Sequence, residues 1–380
     1  MKSDSSGAVL AAAAACAVLA GSCVARAPRA PDAIAISVPW EIETLDPHAS
    51  GTAGNLSLAA NFYEPLVTSS PELRLAPALA SAWENPDPLT WVFHLRPGAR
   101  FHSGKAVGAR DVVYSVERLR GDPELELAPY VRDVSDAEAV DERTVRLRTR
   151  EPVTVLLNKL QYVFIVPEGS TEETLAESED GSGPYRLVRW DPGSRIAMAA
   201  FDRPGTGRRQ LGRVTFRLAR GTDDAIEDLV SGRSQLVACN SRRLEDAAAR
   251  LPGVAIERRD SLFVKYLAFD VSREAALFCP ARTNPFRSAA VRHAVDLLID
   301  RRRLAGTLAG TRAATQIVPP VVFGFDPELP PFPHDPDEAR RLLRREGFPD
   351  GVRVALHTRR IFSETARLLK EMLADGGIDL

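Results

Sequence analysis

The sequence predicts a mixed α/β (α+β) fold. Segments with the two-residue period of a half-buried strand alternate along the chain with segments of helical period. Helix starts are marked by capping residues, most clearly at Asp335-Pro336-Asp337-Glu338. The 28 prolines favour many short elements and ordered loops over a long helical bundle.

Taken in order, Ile34, Ile36 and Val38 alternate with small or polar residues and predict an opening strand. Trp91, Phe93 and Leu95 alternate in TWVFHLR, and Pro97-Gly98 ends that strand in a turn. Val112, Val113, Val116 and Leu119 fall at helical spacing behind Gly108, and Val145 and Leu147 share one face of a strand in TVRLRTR. Beyond Gly181, Val214, Phe216 and Leu218 predict another strand, and YLAFDV is a short strand candidate around Leu267 and Phe269. Ser288 can cap a helix carrying Val291, Val295 and Leu298 on its apolar face. The helix begun at Asp335 closes at Gly347, and Val352, Val354 and Leu356 begin the next strand. Phe362 to Met372 reads as a last helix.

A chain of 380 residues is long enough for two or three lobes. Its 49 Lys and Arg against 51 Asp and Glu leave a net charge of -2, so it has no electrostatic footprint for nucleic acid. A metal pair at His94 and His102 lacks a third ligand at suitable spacing. GTGRRQLG from Gly205 has no strand before it and is a weak phosphate-loop imitation. No G-x-S-x-G and no His/Asp/Ser set can be singled out, so neither catalytic residues nor a cofactor are predicted. Trp83, Trp91 and Trp190 read as core residues, and Arg301 to Arg303 as a solvated helix end favoured by the helix dipole.

The first 30 residues read as an export segment. Met1 and Lys2 lead a polar stretch, and the uncharged apolar run Ala8 to Ala20 is too short to span a bilayer, as in a signal-peptide core. Ala20-Gly21-Ser22-Cys23 then resembles a lipobox, which would place lipid on Cys23 and tie the mature protein to the outer face of the membrane. Ala25-Arg26-Ala27 offers an ordinary cleavage pattern instead, followed by an unfavourable Pro28. The lipoprotein is the favoured expectation, and either route exports the protein. Of the remaining cysteines, Cys239 and Cys279 can form a disulfide in an oxidising compartment or stay as two buried thiols.

Several stretches carry a family likeness: LDPHAS from Leu45, NFYEPLV, LAPALASAWE, and TWVFHLRPGARFHSGKAVGARDVVYSVERL. GSGPYRLVRW, YLAFD, NPFRSAAVRHAVDLLIDRRRL and DPDEARRLLRREGFPDG follow in the same order. Together they resemble the bacterial extracellular solute-binding proteins of family 5, and they cover nearly all of the chain after residue 30. Asp270 stands where the family usually has Asn, and Arg110 where it usually has an acid.

The resemblance implies a type II periplasmic-binding-protein fold: a bilobal cleft with an extra inserted lobe. Lobe I would comprise residues 31–50 and 168–257, lobe II 51–167, and lobe III 258–380, the last expected to be incomplete because family members continue beyond GGIDL. The implied function is capture of oligopeptides, or of similar solutes, by a monomer that delivers them to the permease of an ABC transporter. A nickel-chelate or other small-solute binder, a truncated remnant without transport function and, from another class, a cell-envelope enzyme are the alternatives. By the same resemblance Ser50, Gly51, Thr52 and Ala53 would line the cleft, with Tyr130 and Ser261 on its walls. An ordinary turn is the competing reading for the first four, and an aromatic packed on its own lobe for Tyr130.

Overall fold

A computed structural model describes residues 32–70, 73–177, 179–202, 211–238, 241–258, 262–275, 283–308, 310–320, 322–359 and 362–380. Cys23, Cys239, Cys279, Ser261 and the pair Gly205 and Gly207 lie outside the described residues. No helix among the described residues is long and apolar enough to cross a membrane.

The first half runs β1 (Ala33–Val38), α1 (Ala53–Phe62), β2 (Val67–Ser69), β3 (Leu75–Pro77), β4 (Ala80–Asp87), β5 (Thr90–Leu95) and α2 (Ala109–Gly121). A tight helical turn at Ala128–Tyr130 leads into β6 (Val134–Ala139), β7 (Thr144–Thr149), α3 (Leu156–Leu160) and α4 (Glu172–Glu177). Then come β8 (Tyr185–Asp191), β9 (Arg195–Ala200), β10 (Arg213–Leu218), α5 (Thr222–Val230), β11 (Leu236–Val237) and α6 (Arg242–Ala249). The chain continues through α7 (Ala289–Leu298), α8 (Arg301–Thr307), α9 (Pro336–Arg345), β12 (Val352–Arg353), α10 (Ser363–Ala374) and β13 (Ile378–Asp379).

Two main sheets organise the first 250 residues. One is antiparallel, in the order β4-β5-β7-β6. The other is mixed, β11-β1-β10-β9-β8, with β1 parallel to both neighbours, so the first strand of the chain is completed by segments nearly 200 residues later. A continuous apolar core from Leu45 to Val214 runs beneath both sheets, with Tyr63, Phe93, Phe101 and Ile165 fully buried in it. Trp83, Trp91 and Trp190 pack against this core, as the sequence suggests.

A second, separate core gathers Val291, Val295 and Leu298 of α7, Leu342 and Leu343 of α9, Leu369 and Leu373 of α10, and Ile378 of β13. The predicted cap at Asp335 forms, its carboxylate accepting the Glu338 N–H at 2.9 Å, and Ser288 caps α7. Gly347 takes φ of +89° after α9, a conformation that glycine adopts without strain.

Three expectations differ from the structure, the mildest being that of Val352, Val354 and Leu356 only Val352 lies in a strand, β12. YLAFDV is irregular, not a strand; Leu267 and Phe269 pack from a loop onto the second core, the Phe269 ring 5.0 Å from Phe286. Burial of two side chains satisfies the apolar pattern without a hydrogen-bonded ladder. Arg301 to Arg303 stand at the start of α8, where the dipole opposes cations. Asp300 offsets this by accepting the Arg302 and Arg303 N–H groups, while Arg301 pairs with Asp296 and stacks 4.2 Å from the Phe332 ring.

Candidate functional site

The LDPHAS loop joins β1 to α1 and is fixed from beneath by a buried polar lock. Arg118 of α2 donates to Asp46 Oδ2 at 2.6 Å and Oδ1 at 3.1 Å, and to His48 Nδ1 at 2.9 Å. His48 Nε2 lies 2.8 Å from the Phe164 carbonyl. That oxygen can only accept, so Nε2 carries the proton and Nδ1 is left to accept from Arg118. Burial, the largest effect, lowers the His48 pKa from 6.5 to about 4; the Phe164 bond opposes the shift, Arg118 adds to it, and Asp46 opposes it. The ring is therefore neutral at neutral pH, held between α2 and the segment after α3.

Above this lock lie Ser50 to Ala53, next to the turn that carries Tyr130. Thr52 caps α1 by accepting the Asn55 N–H, and Ala53 is its first, exposed residue. Ser50 Oγ lies 3.1 Å from Thr52 Oγ1 and donates at 3.4 Å to Glu43. Gly51 is exposed, and its N–H donates at 2.6 Å to the Glu126 carboxylate. One residue on, the Leu127 N–H donates to the His48 carbonyl at 3.3 Å, and the Tyr130 N–H closes the turn onto Leu127. The 48–52 loop and the 126–130 turn thus lie side by side. Tyr130 is half-buried and its ring meets Tyr162 at 5.0 Å, with burial and then Tyr162 raising its pKa.

No sequence pattern points to Glu126, Glu43 or Arg118 as partners of this loop. Glu126 and Gly51 are 75 residues apart, and no local spacing rule connects them. Arg118 falls on a helix face whose pattern says only that Val116 and Leu119 are buried.

The rest of the signature region is held by its own charges. Arg96 binds Glu64 through two nitrogens, at 2.8 and 3.2 Å, and donates to the Ala78 carbonyl. Asp111 accepts from Lys105, from the Gly108 N–H and from the Glu168 N–H. Gly181 and Gly183 press against the end of α1, where a Cβ at Gly181 would stand 1.8 Å from the Phe62 carbonyl oxygen. Asp270 accepts from Ser272 and Arg273, while the Asn284 side chain donates to its carbonyl. Its side chain acts as an acceptor in these bonds, a role Asn could share.

A sequence profile described as the bacterial extracellular solute-binding proteins, family 5 Middle, matches residues 74–380. The chain belongs to this family. A similar relative is the glutathione-binding protein GsiB of Pectobacterium atrosepticum, 25% identical over 363 residues, covering 92% of this chain and 68% of the relative. The solved structure of MoaA from A. tumefaciens R10 in complex with mannopinic acid superposes with a TM-score of 0.80 at 25% identity, over 92% of this chain and 72% of that one. DppA of Helicobacter pylori in complex with the peptide STSA gives 0.80 at 21% identity, over 91% and 72%. The family 5 member described here shares the fold of these type II periplasmic binding proteins. Its function class is that of an ABC transporter's solute-binding protein, and its relatives are binding proteins and not enzymes.

Proposed function

We propose that the protein captures oligopeptides, or solutes built like them, in a cleft between lobes and delivers them to the permease subunits of an ABC transporter. The observation that carries this reading is the junction of the 48–52 loop with the 126–130 turn. Gly51 and Ala53 are exposed there, on a buried polar lock, and the turn that carries Tyr130 lies alongside. An extended peptide could lie along such a surface, its main chain pairing with strand edges while loosely fitting pockets accept varied side chains. GsiB is named for glutathione, itself a tripeptide, and DppA was solved with a peptide, which supports the choice of ligand class.

In this reading lobe I is residues 31–50 and 168–257, built on the mixed sheet; lobe II is 51–167, built on the antiparallel sheet; and lobe III is 258–380, built on the second core. Ser50, Gly51, Thr52, Ala53, Tyr130 and Ser261 face the solute, and no cofactor takes part. Closure of the lobes traps it, and moving the equilibrium from mostly open to mostly closed takes roughly 5.5 kcal/mol of differential affinity. The protein is exported as a monomer and anchored by lipid on Cys23. Intact-mass analysis of the membrane fraction checks the anchor, since a mature form beginning at Pro28 without lipid removes it.

Thermal unfolding tests the function itself. Pools of short peptides should raise the melting temperature by mass action on the folded state, and free sugars should not. A shift with a nickel chelate and none with any peptide pool would overturn the peptide assignment.

A further inference from the structure

The chain has four tryptophans. Trp83, Trp91 and Trp190 pack against the first core, whereas Trp40 belongs to none of the apolar clusters among the described residues. It is half-buried, and its ring lies across Gly54 in the first turn of α1. A Cβ built on that glycine would stand 2.9 Å from the ring's Nε1 and closer still to its Cγ and Cδ1, so no other residue fits beneath the ring as it lies. Among the described residues the Trp40 indole N–H has no recorded acceptor, and unlike that of Trp91 it is not buried from water. A ring off the core gives up burial that would stabilise the fold, and the glycine it requires lowers the helix propensity of α1. Neither departure serves packing.

The mixed sheet places this ring at a particular edge. β1 is parallel to both β10 and β11, and the Val38 and Ser37 carbonyls accept the Ala219 and Ala238 N–H groups, so three strands end side by side. Ligands of open α/β sheets bind in the crevice outside the carboxyl ends of parallel strands. Trp40 stands two residues beyond the end of β1, at that edge. Through Gly54 it adjoins the exposed Ala53 and the 48–52 loop.

We propose that Trp40 is a specificity-determining wall of the solute site: an apolar or aromatic side chain of the bound solute lies on its open surface, and the indole N–H donates to a carbonyl of the same solute. The ligand class is then narrower than oligopeptides in general. It consists of peptides that carry such a side chain next to a main-chain carbonyl. Covering the indole face with an aromatic ring removes apolar area from water and adds edge or offset stacking. The proposal rests on the peptide reading of the site at the 48–52 loop, and the probes are chosen so that the two can fail separately.

The experiment is calorimetric titration of the full chain with two tetrapeptide pools that differ only by Phe in one and Ser in the other. Trp40→Ala and Trp40→Phe, checked for folding by near-ultraviolet circular dichroism, are measured beside the unaltered protein. A preference of about tenfold for the Phe pool, lost in Trp40→Ala and largely kept in Trp40→Phe, supports the assignment. A second readout needs no variant to bind: the Trp40 indole N–H signal in the NMR spectrum, identified by its absence from Trp40→Phe, should move with the Phe pool while the other three stay. An undiminished preference in Trp40→Ala overturns the proposal, as does no preference in the unaltered protein or a Trp40 signal unmoved by a bound pool. Should neither pool bind, the peptide reading fails, and titration with p-cresol decides the role of Trp40. Movement of the Trp40 signal alone keeps the wall for another solute class, and no movement removes it.

Discussion

Lowering the pH should loosen the lock beneath the LDPHAS loop through His48. The neutral ring is bound on both nitrogens, so a proton has no place on Nδ1 without expelling the Arg118 guanidinium. In the unfolded chain the same imidazole takes a proton near 6.5, whereas in the fold it resists down to about 4. Below 6.5 the unfolded state therefore binds more protons than the folded one, and stability falls with pH until the folded pKa is reached. The interval between 6.5 and about 4, at roughly 1.4 kcal/mol for each pH unit, amounts to about 3 kcal/mol lost. Carboxylates whose pKa values are depressed, such as Asp191 and Asp337, add their own loss at the acid end. Comparison with His48→Gln isolates the histidine, because Gln can still donate to Phe164 but does not titrate. Urea unfolding at several pH values is the assay, with the midpoint read at constant m. The unaltered protein should lose about 3 kcal/mol more than His48→Gln between pH 6.5 and 4. Parallel curves for the two proteins would refute the neutral, doubly bound ring.

Other consequences follow from the same contacts. Arg118→Met strands the buried Asp46 carboxylate and should cost about 3–5 kcal/mol, seen as a lower urea midpoint. Gly181→Ala drives a methyl into the Phe62 carbonyl and should cost about 3 kcal/mol or more, or block folding, visible in the near-ultraviolet circular dichroism. Leu343→Ala should cost about 2–5 kcal/mol in the second core alone, lowering one calorimetric transition and leaving that of the first core in place. Tyr130→Ala should weaken peptide binding more than Tyr130→Phe does, with both variants folded at room temperature.

Periodicity reveals the elements because burial is local in sequence. The alternation at Trp91, Phe93 and Leu95, and the helical spacing at Val291, Val295 and Leu298, each reflect one face against a core. Caps are legible for the same reason, since Asp335 and Ser288 bond to amides within three residues. YLAFDV misleads because apolar residues in an irregular segment leave the same trace as a strand. Arg301 to Arg303 mislead because charge alone does not say which end of a helix it occupies. The family likeness points to Ser50 to Ala53 but not to Arg118 and Glu126, which hold that loop. Their partners lie 72 and 75 residues away, and long-range polar pairing leaves no period to read.

Hydrogen exchange on the full chain, with and without a saturating peptide pool, tests the proposed binding site most directly. Residues 48–54 and 126–130 should gain protection together when peptide binds, because the loop and the turn form one surface. The antiparallel sheet β4-β5-β7-β6 should be unchanged. Peptide binding that leaves both segments exchanging at their free rates would contradict the site.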